Sequence, residues 1–458
     1  MADPLPCFKA NDIRGKVPAE LDEEIAWRVG RACAAELRPA GPVVVGHDIR
    51  PSSPALAKAL MRGLCEGGAD VLDIGRCGTE MVYFAAARPG AGGGIMVTAS
   101  HNPKEYNGMK LVRAGAIPIS GPTGLDAIAR RLRNRRFGRP AARPGQVRRE
   151  NLLAPYLDKL LSFVAPSHLR PLRIVVNPGN GGAGPVVDAL ARRLPFRLHR
   201  VHFRPDGTFP HGVPNPMLPE NRTATARAVR RHHADLGVAW DGDFDRCFLF
   251  DEHGDFIEGY YIVGLLAAQM LRSHPGAAVI HDPRLTWNTL ERVRAAGGVA
   301  VECRTGHTFM KEGMRAHDAV YGGELSSHHY FRDFAYCDSG MIPWLLVAAL
   351  LCEGAKPLSE LVAECRRRFP ASGEINRTVA DPGAAMARVR RHYRRLAERT
   401  STLDGLSMEF AEGWRFNLRT SQTEPLLRLN VEARDDAPLM RQRTAELLEL
   451  IGGEPPRK

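Results

Sequence analysis

The sequence predicts an α/β protein of layered, largely parallel sheets. Two observations carry that class. An apolar β-branched run, a polar or glycine turn and an amphipathic helix follow one another three times, and the chain then changes to a strand-rich pattern. The three repeats begin at PVVVGHDIRPSS (42–53), LRIVVNPGNGGAGP (172–185) and AAVIHDPRLTW (277–287). Strands that alternate with helices need crossover connections, which pair strands in parallel. The later stretch LSMEFAEGWRFNLRTSQTEPLLRLNVEAR (406–434) reads as strands and APLMRQRTAELLELI (437–451) as a helix. A smaller α+β domain is therefore expected last.

At 458 residues the chain is long for one core, and ~150 residues per domain suggests about three. The Arg- and Pro-rich FGRPAARPGQ (137–146) and FPASGEIN (369–376) read as boundaries. Hydrophobic content of 44% with 25% charged residues is that of a soluble globular protein. The longest apolar run, WLLVAALLC (344–352), is bracketed by Pro343 and Glu353-Gly354. It falls short of the ~18 residues of a membrane span and reads as a core helix. The start MADPLPCFKAND lacks the basic-then-apolar order of a signal peptide. A cytoplasmic location without a membrane partner is expected.

Nine scattered cysteines include no C-x-x-C pair, so neither a zinc site nor a disulfide framework is indicated. The net charge of +12 comes largely from arginines dispersed along helices, as in RRLRNRRFGR (130–139) and RVRRHYRRLAER (388–399). No aromatic residues interleave them in the manner of a nucleic-acid module. They read as a solvated basic face with a mild pull on an anionic substrate. No nucleic-acid partner is expected.

The stretch TASHNPKEYNGMK (98–110) sets Ser100 beside His101 and invites a hydrolase reading. If the strand runs through it, adjacent side chains point to opposite faces and are badly placed to share a hydrogen bond. Either a group distant in sequence activates Ser100, or the serine is not a free-hydroxyl nucleophile. The strongest metal signal is AWDGDFDRCFLF (239–250), with Asp241, Asp243 and Asp245 at alternate positions. Three carboxylates in five residues repel unless a hard cation neutralises them, and oxygen ligands select Mg²⁺ or Ca²⁺. Glu252 falls at the twelfth position of an EF-hand loop, but Arg246 stands where that loop needs glycine. A tight metal loop between strands fits better; a solvated acidic turn is the alternative.

RTSQTEP (419–425) and KANDIRG (9–15) offer cations, hydroxyls and turns that suit phosphate. GGELSSHHYF (322–331) suits sugar hydroxyls, and a capped helix start is its alternative. Gly179-x-Gly181-x-x-Gly184 with Asp206 downstream matches a dinucleotide fingerprint by pattern. Pro178 and Pro185 crowd that loop and no hydride-transfer site accompanies it, so a tight strand-to-helix turn is expected.

Taken in order, TASHNPKEYNGMK, DGDFDR, GGELSSHH and RTSQTEP resemble the motif series of the α-D-phosphohexomutases across essentially the whole chain. KANDIRGKVP, EGYYIVGLL, HDPRLTWNT and YFRDFAYCDSGMIPWLL are most similar to the bacterial phosphomannomutase branch of the GDP-mannose route. The resemblance implies four domains around a central cleft, three alike and a fourth of another fold: 1–146, 147–255, 256–369 and 370–458. It implies that Ser100 carries a phosphoryl group, given to a hexose monophosphate through a hexose 1,6-bisphosphate that reorients. It implies one Mg²⁺ per chain on Asp241, Asp243, Asp245 and phosphorylated Ser100.

The resemblance places Arg14, Lys110, Arg246 and His101 near the phosphoserine. Lys110 would accept a proton if neighbouring cations and burial depress its pKa. His307 is a second acid/base candidate. Glu324, Ser326 and His328 resemble the sugar loop, and Arg419, Ser421 and Thr423 the phosphate loop. Asn11, Arg304, Ser327 and Gln422 depart from common family patterns, which touches substrate preference more than reaction type. Small hexose phosphates are the expected partners, with the chain a monomer or dimer. A glucose-phosphate or dual-specificity mutase and a metal-dependent phosphatase are the other readings.

Overall fold

A computed structural model describes residues 5–354, 356–420 and 426–456. The chain divides into two compact units, Met1–Phe256 with His328–Ala355 and Ile257–Ser327 with Lys356–Lys458.

The first unit contains two sheets. In one, the strands run in the order Ile13–Lys16, Tyr106–Arg113, Gly93–Val97, Val43–His47, Val71–Arg76 and Val147–Arg149. Val43–His47 is parallel to both its neighbours, while Tyr106–Arg113 is antiparallel to its own. Helices Glu23–Leu37 and Ser53–Glu66 cover it, and Val29, Leu56, Leu60, Ile95, Val97 and Leu111 meet in its core. The sheet takes in Val147–Arg149, past the Pro-rich stretch expected to end the domain.

The other sheet of this unit includes, in order, Cys247–Phe250, Leu236–Trp240, Arg173–Asn177 and Arg197–Arg200. The apolar run at 344–352 lies in helix Met341–Glu353, almost wholly buried. Trp344 packs against Trp240 and Phe196, with ring centroids 6.3 and 6.1 Å away, and Trp240 Nε1 donates to Gly340 O at 2.8 Å. Among the described residues no single helix is long and apolar enough to cross a membrane.

In the second unit, Ala278–His281 lies parallel to Val299–Glu302 and to Tyr321–Gly323. Helices Gly259–Ser273, Trp287–Ala295 and His307–Ala316 accompany them. A separate antiparallel sheet orders Ile375–Thr378, Leu426–Ala433, Trp414–Thr420, Leu406–Phe410 and Arg399–Ser401. Its apolar face packs with helices Pro382–Tyr393 and Ala437–Ile451. The strand-rich terminal domain and its helix are where the sequence pattern puts them.

The three repeats share one turn. Asp48 Oδ1 accepts from Arg50 N, Asn177 Oδ1 from Gly179 N, and Asp282 Oδ1 from Arg284 N, each at 2.9 Å. These side chains mimic a backbone turn at the C-terminal end of a parallel strand. That edge is where α/β folds gather ligand-binding groups.

Candidate active site

Ser100 lies beyond the strand Gly93–Val97, in a turn with left-handed backbone at φ 49°. A non-glycine residue there costs about 1–3 kcal/mol and persists only when its surroundings hold it. Thr98 Oγ1 accepts from Ser100 N at 2.9 Å. Buried Arg50 donates to the carbonyls of Ser100, Asn102, Pro103 and Tyr106 at 2.9, 2.6, 2.7 and 3.0 Å. This turn corrects the strand-based expectation for the neighbouring histidine. Ser100 Oγ and His101 Nδ1 are 3.0 Å apart, because the chain has left the strand and the face-to-face alternation no longer applies.

The closer partner of the hydroxyl is remote in sequence: Asp241 Oδ2 accepts from Ser100 Oγ at 2.6 Å. A serine has one proton, so it serves one of these acceptors at a time. His101 Nδ1 also accepts from Arg246 Nη2 at 3.1 Å, and since guanidinium only donates, the ring proton sits on Nε2. Burial, then Arg246 and Arg14, hold His101 well below the usual histidine range, leaving it neutral. Arg14, on the strand Ile13–Lys16, donates to Asn102 Oδ1 and to Asp12.

Strands Leu236–Trp240 and Cys247–Phe250 form an antiparallel pair with Trp240 opposite Cys247, and the tight loop between them carries the three aspartates. Strand flanks exclude an EF-hand, which needs helices. The aspartates are buried, with one oxygen of each within 4.8 Å of the others. Asp243 Oδ1 and Asp245 Oδ1 are buried and accept no hydrogen bond among the described residues. Orphaned oxygens in a buried carboxylate trio suit a hard divalent cation, so these residues fit a metal. Gly242 is required here, since a Cβ would stand 2.5 Å from Ser100 O. The glycine-rich turn after Asn177 braces this loop, with Gly182 N donating to Gly242 O at 3.0 Å. Its pattern partner Asp206 is engaged locally, accepting from Thr208 N and Oγ1.

Lys110 Nζ lies 2.7 Å from Asp243 Oδ2 and 2.5 Å from Asp245 Oδ2. Burial alone would lower its pKa, but Asp243 and Asp245 outweigh that and raise it well above the usual lysine range. With Asp243 and Asp245 as its neighbours, Lys110 carries its proton. Burial would likewise raise Asp243, yet Lys110 and a hydrogen bond from Thr79 hold it below the usual carboxylate range. Asp241 behaves oppositely. Burial, then Asp245 and Asp243, push it up to about 7.

The sugar-loop motif contains no helix: strand Tyr321–Gly323 is followed by a loop and strand His329–Phe331. The boundary between the units falls after Ser327. In the first unit, His328 Nδ1 lies 2.8 Å from Asp338 Oδ2 and 3.9 Å from Asp245 Oδ1. Burial would lower its pKa, but the two carboxylates raise it overall.

In the second unit, Arg284 Nη2 lies 2.6 Å from Asp282 Oδ2, 3.4 Å from Ser326 Oγ and 3.8 Å from Glu324 Oε1. Gly306 N, just before His307, donates to Glu324 Oε1 at 2.9 Å, and His307 opens the helix His307–Ala316. Arg419 Nη2 lies 3.0 Å from Glu374 Oε2. Ser421, Thr423 and the departure Gln422 lie outside the described residues.

Sequence reasoning missed Arg50, Thr79, Asn102, Arg284, Asp338 and Glu374. One signal was available. HDIR (47–50) and HDPR (281–284) repeat the same four-residue frame, and in both places the arginine anchors the loop that follows another strand. Nothing comparable marks Thr79 or Glu374, whose partners are distant in sequence, or Asp338, whose partner His328 lies ten residues earlier.

Three α/β sheets, an antiparallel terminal sheet and a buried serine set against an aspartate trio define a multidomain enzyme class that handles anionic substrates. Four family profiles match in chain order: phosphoglucomutase/phosphomannomutase alpha/beta/alpha domain I at 6–139, domain II at 154–254, domain III at 258–369 and the C-terminal domain at 374–449. The chain belongs to the phosphoglucomutase/phosphomannomutase family. It is 58% identical to a phosphomannomutase of Salmonella montevideo, across 98% of this chain and 99% of the relative. It is 57% identical to the phosphohexose mutases of Xanthomonas campestris pv. campestris, across 98% and 100%. A crystal structure of a family protein from Burkholderia thailandensis matches with a TM-score of 0.88 at 31% identity, covering 100% of both chains.

Proposed function

We propose that this chain is a phosphomannomutase, interconverting mannose 6-phosphate and mannose 1-phosphate through phosphorylated Ser100 and a hexose 1,6-bisphosphate. The observation that carries the reading is the 2.6 Å contact between Ser100 Oγ and Asp241 Oδ2 inside a buried trio of aspartates. The names and near-complete coverage of the relatives support mannose phosphate as substrate. We take the four domains as 1–146, 147–255, 256–369 and 370–458, with the strand Val147–Arg149 adding to the edge of the first sheet. The product supplies GDP-mannose synthesis in the cytoplasm, and the chain works as a monomer or dimer.

Asp241, Asp243 and Asp245, with phosphorylated Ser100, would hold one Mg²⁺. When bound, that ion offsets negative charge on the transferring phosphoryl group. The remaining work falls to side chains. Arg50 fixes the carbonyls around Ser100, so the hydroxyl meets the incoming phosphate from one direction. When Ser100 takes a phosphoryl group back its proton must leave, and His101 Nδ1, 3.0 Å from the hydroxyl, is the acceptor outside the metal-holding set. Arg14 and Arg246 supply fixed positive charge beside the serine, and positioned charge is the main source of rate in phosphoryl transfer. Glu324, Ser326 and His328 read sugar hydroxyls, Arg419, Ser421 and Thr423 hold the phosphate that does not react, and His307 is a second proton-transfer candidate.

A dual-specificity mutase is the second reading, favoured by the relatives named phosphohexose mutases. Assays with mannose and glucose phosphates, run beside mass spectrometry of Ser100, separate the two and test both. We expect phosphate on Ser100, mannose phosphate preferred, and loss of nearly all turnover in Ser100→Ala. Wild-type rates in that variant would rule out the phosphoserine route.

A further inference from the structure

The buried charges of the second unit contain a feature that substrate binding alone does not explain. Glu374, just before the strand Ile375–Thr378, serves three guanidinium groups at once. Its Oε2 lies 3.0 Å from Arg419 Nη2 and 3.5 Å from Arg284 Nη1, and its Oε1 lies 3.2 Å from Arg428 Nη1. Its side chain is 11% exposed, so water does little of the work of compensating these cations. Burial would raise the Glu374 pKa, but Arg284, Arg419 and Arg428 hold it below the usual range.

Three guanidinium groups converging on two oxygens of one acid form the arrangement proteins use for a phosphate. The donors outnumber the acceptors: the Nε atoms of Arg284, Arg419 and Arg428 are all buried without a hydrogen-bond partner among the described residues. Arg284 is otherwise occupied, at 2.6 Å from Asp282, whereas the remaining acid near Arg419 is Asp404 at 3.9 Å. Glu374 is therefore the main counter-ion of Arg419, and a phosphate dianion brought to Arg419 meets a carboxylate already there.

We propose that Glu374 is an internal stand-in for substrate phosphate. It holds Arg419 in place in the free protein and competes with the phosphate of the hexose for that arginine, so it sets substrate affinity and helps product leave. This rests on the reading that Arg419 binds the non-reacting phosphate. Glu374 is a positioning residue, acting through the arginine.

The test compares full-length wild type, Glu374→Gln, Glu374→Asp and Arg419→Ala, measuring KM and kcat for mannose 1-phosphate and the inhibition constant of inorganic phosphate. Removing the competing charge in Glu374→Gln should lower KM and the phosphate inhibition constant by about three- to tenfold, the scale of one partly screened ion pair. Its kcat should fall as release slows. Glu374→Asp, which withdraws the carboxylate by one methylene, should shift both constants the same way by less. It decides the question if Glu374→Gln does not fold. A merely structural role would weaken binding or leave it unchanged, and either result in whichever variant folds overturns the proposal. Arg419→Ala tests the underlying reading separately: unchanged phosphate affinity there removes Arg419 from the phosphate site, whatever Glu374 does.

Discussion

Lys110 Nζ rests 2.7 Å from Asp243 Oδ2, an ammonium set against the acidic trio from a strand more than a hundred residues away. The pair is almost fully buried, with side chains 8% and 0% exposed. Removing one member of such a pair leaves an uncompensated charge and costs about 3–5 kcal/mol. Lys110→Met should therefore melt well below wild type without divalent cations. Mg²⁺ should restore more stability to the variant than to wild type, because ligand that binds only the folded state stabilises by its affinity and the ammonium no longer opposes it. Thermal melts across a Mg²⁺ series check this; equal Mg²⁺ shifts in the two proteins would sink it. Chelating the metal should stop turnover in both.

Gly242 meets the serine turn edge-on, with room for no side chain. A Cβ added there would stand 2.5 Å from the Ser100 carbonyl oxygen. Both partners are backbone or a single carbon, so the two loops must separate. Displacements on that scale cost about a hundredfold in rate when the reacting atoms lose alignment. Gly242→Ala should lose activity by that order while circular dichroism stays native. Full activity would show that the contact does not set the geometry.

Arg50→Lys keeps the charge and loses the fork. Lysine has three donors on one nitrogen and cannot span the carbonyls of Ser100, Asn102, Pro103 and Tyr106. With the left-handed Ser100 no longer held, the amides of 99–102 should exchange faster with solvent, and turnover should fall by about a hundredfold. Hydrogen exchange read by mass spectrometry is the check, with unchanged protection as the contrary result.

Glu80 links helix Thr79–Ala86 to the start of helix Met341–Glu353. Oε1 accepts from Tyr156 and Ser339, and Oε2 from Gly340 N and Met341 N. Burial pushes its pKa up from 4.5 to about 8, against the lowering effect of those bonds. An acid raised in the folded state keeps its proton where the unfolded chain has lost it. Below pH 4.5 it contributes no slope; from there to about 8, stability falls by up to ~1.4 kcal/mol per pH unit, and the loss is complete above. Glu80→Gln, neutral at every pH, should flatten that portion of the profile. Chemical denaturation of both proteins at pH 5 and pH 8 measures the difference, and parallel profiles would contradict the assignment.

Local pattern was a good guide wherever the physics is local. The repeated strand–turn–helix order, the terminal strands, the helix over 437–451 and the carboxylate spacing of 241–245 all follow from side-chain periodicity and short-range repulsion. It misled at Ser100–His101, because one left-handed residue breaks the alternation and the arginine that holds it lies fifty residues earlier. It did not reach the setting of Lys110, whose protonation depends on acids that arrive from another sheet. Glu374 was invisible because its arginines come from segments remote in sequence, and Asp338 because no spacing rule pairs it with His328 ten residues before.

By itself the sequence determined the class of chain and the inventory of chemistry: an α/β fold, a serine turn, three aspartates and an arginine beside hydroxyls. Tertiary structure alone decided the pairing. Ser100 meets Asp241 across 141 residues, Lys110 becomes a fixed cation, and Glu374 occupies the arginines. These outcomes depend on distance and burial between remote segments, and the interaction of charges is set by both.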